Sequence, residues 1–167
     1  MEATRKIKKI IARHVKKPVE EISERDNILS GIQGSDWDLW GIHNEIIDSI
    51  EEEFDIPLEI DYFAEKPTIG EVIQRVKSQM NMTRKVKEII ARHLDKPIEH
   101  ITTKMSFFED FNFNFSKNQD GTIYCPKFYE LLKNVLETFG LRLEDLFDCS
   151  WTTVRDIINI IASKKPL

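Results

Sequence analysis

Cysteine, glycine and proline are all sparse here, at two, six and six in 167 residues. Cys125 and Cys149 are too few for a disulfide framework and lack metal-site spacing. Neither a stapled secreted scaffold nor a zinc site is therefore expected. No glycine-rich stretch could wrap a phosphate, and no hydrolase or deaminase pattern is present, so no enzymatic activity is expected. Apolar runs stop short of the roughly 18 residues that cross a membrane, and no apolar segment resembling a secretory leader opens the chain. These absences point to a cytoplasmic protein with no membrane contact and no cofactor.

Positive charge is missing from one long stretch. Between Asp36 and Glu65 there are eleven acidic residues and no Lys or Arg, in a chain that has 24 of them. Just upstream, Arg5 to Lys17 holds seven basic residues and no acidic one. The first half, to Asn81, has 17 acidic and 11 basic residues, a net −6; the remainder has 12 and 13, a net +1. A surface of one sign steers a partner of the other sign.

What is present is a repeat. Thr4–Ile22, TRKIKKIIARHVKKPVEEI, returns at Thr83–Ile101 as TRKVKEIIARHLDKPIEHI, with 13 of 19 positions identical. The chain is therefore a tandem duplication, with domains expected at 1–80 and 83–167 joined by the short linker Met80-Asn-Met82.

Each half reads as a helix, a long loop, a helix, a short turn and a helix. Thr4 is expected to cap a helix ended by Pro18, and Thr83 one ended by Pro97. A second helix, from about Leu39 to Asp55, carries Ile42, Ile46, Ile47, Ile50 and Phe54 on one stripe, with Glu45, Asp48 and Glu52 opposite. Phe128, Leu131, Leu132, Val135 and Phe139 answer it from Pro126 to Gly140, set back along the chain because the second loop is longer than the first. Short helical turns are expected at Asp61–Ala64 and Glu144–Phe147. Thr68 and Thr153 then cap the last helices. Two cores follow: Ile10, Ile46, Ile50, Phe54 and Val72 in one, Ile89, Leu132, Val135, Phe139 and Ile157 in the other.

This order of elements, with IIDSIEEEFDI at Ile46–Ile56 and Thr68-Ile69 opening the final helix, resembles an acyl carrier protein in each half. The resemblance implies an all-α chain of two tandem carrier-like helical bundles, with acidic residues of the second helix meeting partner enzymes. It also implies a phosphopantetheine-bearing serine in an Asp-Ser-Leu motif. Counting back from Phe54 and Phe139, that position falls at Trp40 and Cys125, so the serine is missing from both halves. Ser35, beside Asp36, is the nearest hydroxyl in the first.

The expected function is a non-enzymatic protein-binding module. An immunity protein that neutralises a basic toxin such as a nuclease fits the charge and size; an acyl carrier or carrier-like accessory of acyl-transfer enzymes is the alternative. The partner is expected to be a basic protein, toxin or enzyme, rather than nucleic acid, since the acidic stretch repels phosphate. Its contact residues are expected to be Asp36, Trp37, Asp38 and Trp40 at the loop's end, then Glu45, Asp48 and Glu52 along the second helix. His14 and His93 match between halves and are expected to pack or cap. Cys125 is expected to be buried. Phe107, Phe108, Phe111, Phe113 and Phe115 crowd the longer loop of the second half, where they are expected to plug the gap between domains.

Overall fold

The computed structural model describes residues 2–111, 113, 116, 117, 123–143 and 152–164. It divides into two compact units, Met1–Met80 and Asn81–Leu167. Among the described residues there are five α-helices: α1 (Glu2–Val15), α2 (Asp36–Phe54), α3 (Ile69–Leu94), α4 (Pro126–Thr138) and α5 (Val154–Lys164). The all-helical expectation holds apart from one small ribbon in the second unit, where β1 (Ser116–Lys117) pairs antiparallel with β2 (Ile123–Tyr124).

The duplicated sequence produces duplicated local chemistry. In each repeat the Lys-Pro dipeptide, Lys17-Pro18 and Lys96-Pro97, forces the backbone before it out of helix. In each copy the chain turns through a left-handed residue, Lys16 (φ 53°) and Asp95 (φ 51°), and then a short 3₁₀ turn, Val19–Glu21 and Ile98–His100. The second helix of each unit likewise ends on a left-handed residue, Asp55 in the first unit and Gly140 just past α4.

The long loop of each unit is pinned onto the start of the last helix. In the first, Ile69 N–H donates to Asp26 C=O and Gly70 N–H to Glu24 C=O, both at 2.8 Å. In the second, Val154 N–H donates to Met105 C=O at 3.1 Å and Arg155 N–H to Thr103 C=O at 2.8 Å. Thr68 and Glu71 form a reciprocal capping box, Glu71 N–H to Thr68 Oγ1 at 3.2 Å and Thr68 N–H to Glu71 Oε2 at 2.7 Å. Thr153 and Asp156 repeat it at 3.3 and 2.8 Å.

Three expectations are corrected. First, α2 begins at Asp36 rather than near Leu39. Ser35 caps it, with Asp38 supplying the returning carboxylate, a box whose shorter Asp is easily missed in sequence. Second, neither repeat threonine opens a helix: α1 begins at Glu2 with Thr4 already in its first turn, and α3 runs unbroken through Met80-Asn81-Met82 to Thr83, with no Gly or Pro to stop it. Third, Phe107, Phe111 and Phe113 lie in the second unit's own core with Phe128, while Phe108 is exposed. Phe115, Cys149 and the turn expected at Glu144–Phe147 lie outside the described residues.

Each unit has its own core. Ile7, Ile11, Ile46, Ile50, Val72 and Val76 are fully buried in the first. Val86, Ile90, Leu131, Leu132, Val135, Ile158 and Ile161 are their kind in the second. Ile10, Phe54, Ile89 and Phe139 sit at the edges of these cores, half-buried rather than central. On α1, Ile7 and Ile11 face inward, so Ile10 is turned about 100° from the buried line.

Candidate functional site

The candidate surface is built on α2. Ile46, Ile47 and Ile50 point into the core, which directs Glu45, Asp48 and Glu52 to solvent. Among the described residues no Lys or Arg pairs with Glu45, Asp48 or Glu52; Glu45 Oε2 lies 3.7 Å from His14 Nδ1. Other acidic groups of the stretch are engaged inside the unit. Glu53 pairs with Lys6 of α1 at 2.7 Å, Glu65 pairs with Arg75 of α3, and the Glu51 carboxylate accepts from Leu58 N–H. The basic helix α1 thus meets part of the acidic stretch and leaves the Glu45–Asp48–Glu52 stripe uncovered.

At the first turns of α2, three aromatic rings stand in solvent. Trp37 is 73% exposed, Trp40 40% and Phe63 61%. Trp37 meets Trp40 edge-to-face at 6.0 Å between centroids and an interplanar angle of 81°; Phe63 meets Trp37 at 6.2 Å and 72°. Phe63 is held there by the turn at 61–65. Asp61 Oδ1 accepts from Phe63 N–H at 2.8 Å, and Glu65 N–H donates to Asp61 C=O. The structure therefore brings Asp36, Trp37, Asp38 and Trp40 together on α2, and adds Phe63, which sequence spacing did not suggest. A Tyr-Phe pair inside an acidic turn was the available signal.

The four carboxylates at this end differ in use. Asp38 closes the cap on Ser35, whose hydroxyl donates to Asp38 Oδ2 at 2.6 Å; those hydrogen bonds hold its pKa below the ordinary carboxylate value. Asp36 faces Tyr62, whose phenol is pushed up by burial and by the charge and hydrogen bonding of Asp36. Asp61 holds the turn, and Glu65 pairs with Arg75.

Beneath the rings, Tyr62 tilts against His43 at 5.5 Å. His43 is 2% exposed, and burial pushes its pKa down. Nδ1 lies 3.4 Å from Asn44 Oδ1, while Nε2 is buried without a hydrogen-bond partner. Both residues line a half-open pocket of about 200 Å³, with Ile28, Leu29, Leu39 and Pro67 among its other walls.

The remaining candidates are structural. His14 Nε2 meets Ser49 Oγ at 3.1 Å and so joins α1 to α2; His93 Nε2 meets Lys127 C=O at 3.1 Å and joins α3 to α4. Both pack, as their matched positions suggest. Cys125 is buried at the start of α4. Among the described residues no cluster of His, Cys, Asp and Glu could hold a metal, and no helix is long and apolar enough to cross a membrane.

No family model matches the chain, and no curated protein does. Among solved structures, the solution structure of the apo doublet acyl carrier protein from prodigiosin biosynthesis is similar, at 11% identity and a TM-score of 0.38, covering 98% of this chain and 82% of that one. A likeness at that TM-score decides nothing about this chain's chemistry.

Proposed function

We propose that this protein is a non-enzymatic binding module whose first unit docks a basic protein. The observation that carries this is the uncovered Glu45–Asp48–Glu52 stripe running into three exposed aromatic rings. None of those groups has a place in the unit's core. Carboxylates steer and align a cationic surface, while large rings supply the buried area that slows its departure. A basic toxin such as a nuclease fits this chemistry, since carboxylates would occupy the places where such a protein holds phosphates.

The test is co-expression with the products of neighbouring genes, followed by association kinetics with the captured partner. Reversing Glu45, Asp48 and Glu52 to Lys is expected to slow association, with a loss that shrinks as salt rises. A captured partner whose binding ignores the triple reversal counts decisively against this surface.

A second reading is a carrier-like accessory of acyl transfer, and Ser35 favours it. Its exposed hydroxyl opens α2, next to the acidic residues that a modifying enzyme would meet, although Asp38 holds it and no Leu follows. Intact mass after expression with a phosphopantetheinyl transferase tests it directly. An unmodified chain ends that reading.

A further inference from the structure

We infer that the corner made by Trp37, Trp40 and Phe63 receives an arginine side chain of the basic partner. This deepens the docking proposed above and rests on it. Edge-to-face pairing sets the ring planes 81° and 72° apart. A flat cation can therefore lie against the face of one ring while another ring stands beside it. With Trp37 at 73% and Phe63 at 61% exposure, the corner is reachable from solvent.

The surroundings select the charge. Asp36 and Asp38 flank Trp37 in the chain, and Asp61 lies just before the Tyr62-Phe63 pair. Each carboxylate can accept about four hydrogen bonds, so Asp38 in its cap and Asp61 in its turn retain capacity. No Lys or Arg lies between Asp36 and Glu65 to occupy the corner from within the segment.

Arginine fits better than lysine for a physical reason. Guanidinium is planar and weakly hydrated, stacks on indole and phenyl faces, and still directs N–H donors outward to carboxylates. An ammonium is strongly hydrated and gains less from a ring it must dry to touch. The second unit does not repeat the tryptophans: Cys125, buried, stands where the first has Trp40, and Thr122 falls where it has Trp37.

The test uses the full chain, nitrogen-15 labelled, titrated at low salt with an arginine heptamer and separately with a lysine heptamer. The indole N–H signals of Trp37 and Trp40 are followed. The arginine peptide is expected to bind roughly two- to fivefold more tightly, the range of an exposed cation–π contact, and to shift both indoles. Trp37→Ala and Phe63→Ala, both at exposed positions, are expected to abolish that preference. Equal affinities, or no binding by either peptide, overturn the proposal. If Lys replacements at Glu45, Asp48 and Glu52 abolish both peptides equally, the corner fails and the docking face stands. Arginine selectivity alongside a native partner indifferent to those replacements supports the corner and removes the docking face.

Discussion

Ile28 and Phe107 occupy the same place in the repeat, just after the loop is pinned to its last helix. His43 and Phe128 occupy another common place, on the second helix of each unit. In the second unit these positions hold two phenylalanines 4.9 Å apart, with Phe111 and Phe113 packed around Phe107. In the first they hold an isoleucine and an imidazole, both lining an open pocket with exposed rings nearby. One copy fills its seam with aromatic area, and the other leaves it polar, open and acidic outside. The same backbone plan thus carries a packing solution in one unit and an accessible surface in the other.

The strongest way to break that comparison is to remove the filling. Phe107→Ala is expected to destabilise the second unit by about 3–5 kcal/mol in urea unfolding, because a fully buried ring leaves a cavity among three others. Ile28→Ala is expected to lie near the lower end of the about 2–5 kcal/mol range for such truncations, since a site beside an open pocket relaxes more easily. The opposite order would show that the pocket is rigid. Ile50→Ala, deep in the first core and away from the pocket, serves as reference and is expected to cost about 2–5 kcal/mol. A change below about half a kcal/mol would mean that the face of α2 is misassigned.

A subtler test makes the first unit resemble the second. His43→Phe removes a buried nitrogen with no partner, an arrangement that costs about 1–3 kcal/mol. Its effect should depend on pH. The folded pKa of His43 is lowered, so the unfolded chain binds the proton more readily. The neutral ring's contribution is complete above the ordinary value of 6.5 and is lost as pH falls towards the depressed folded value. Melting temperature measured from pH 7.5 down to 5 should therefore fall more steeply for the native chain than for His43→Phe. Parallel curves would remove His43 from the account. The smallest effect is expected from changing Glu45, Asp48 and Glu52 to Lys, which should move stability by no more than about 0.5 kcal/mol, because exposed residues away from structural features have little to lose. A large drop in melting temperature would mean that the stripe belongs to the fold.

Much of this contrast was written in the sequence, though unevenly. Helix faces were legible because apolar spacing at three and four residues repeats in both halves, as in Ile46-Ile47-Ile50 and Leu131-Leu132-Val135. The start of α2 was not, because an Asp at the third helical position is a weaker printed sign than Glu and Ser35 lies in a loop-like context. Thr4 and Thr83 are good capping residues by type but cap nothing, because helix already precedes each of them. Phe63 is invisible to periodicity because a turn sets its direction. His43 was visible as a residue but not as a buried one, since its burial depends on Tyr62 closing over it from the turn beyond the end of α2.

The pinned loops have a consequence for how this chain tolerates length. Both copies fasten the loop at one point, at residues 24 and 26 in the first unit and 103 and 105 in the second. The extra residues of the second copy all fall beyond that fastening, before α4. Closing a flexible segment becomes harder only with the logarithm of its length, so such an insertion adds a few tenths of a kcal/mol. Phe111 and Phe113, brought in by the extension and buried, offset far more than that. The span between the fastening and the second helix is thus where this plan takes up extra length: the second copy carries its longer loop there, while the fastening hydrogen bonds keep the same register in both.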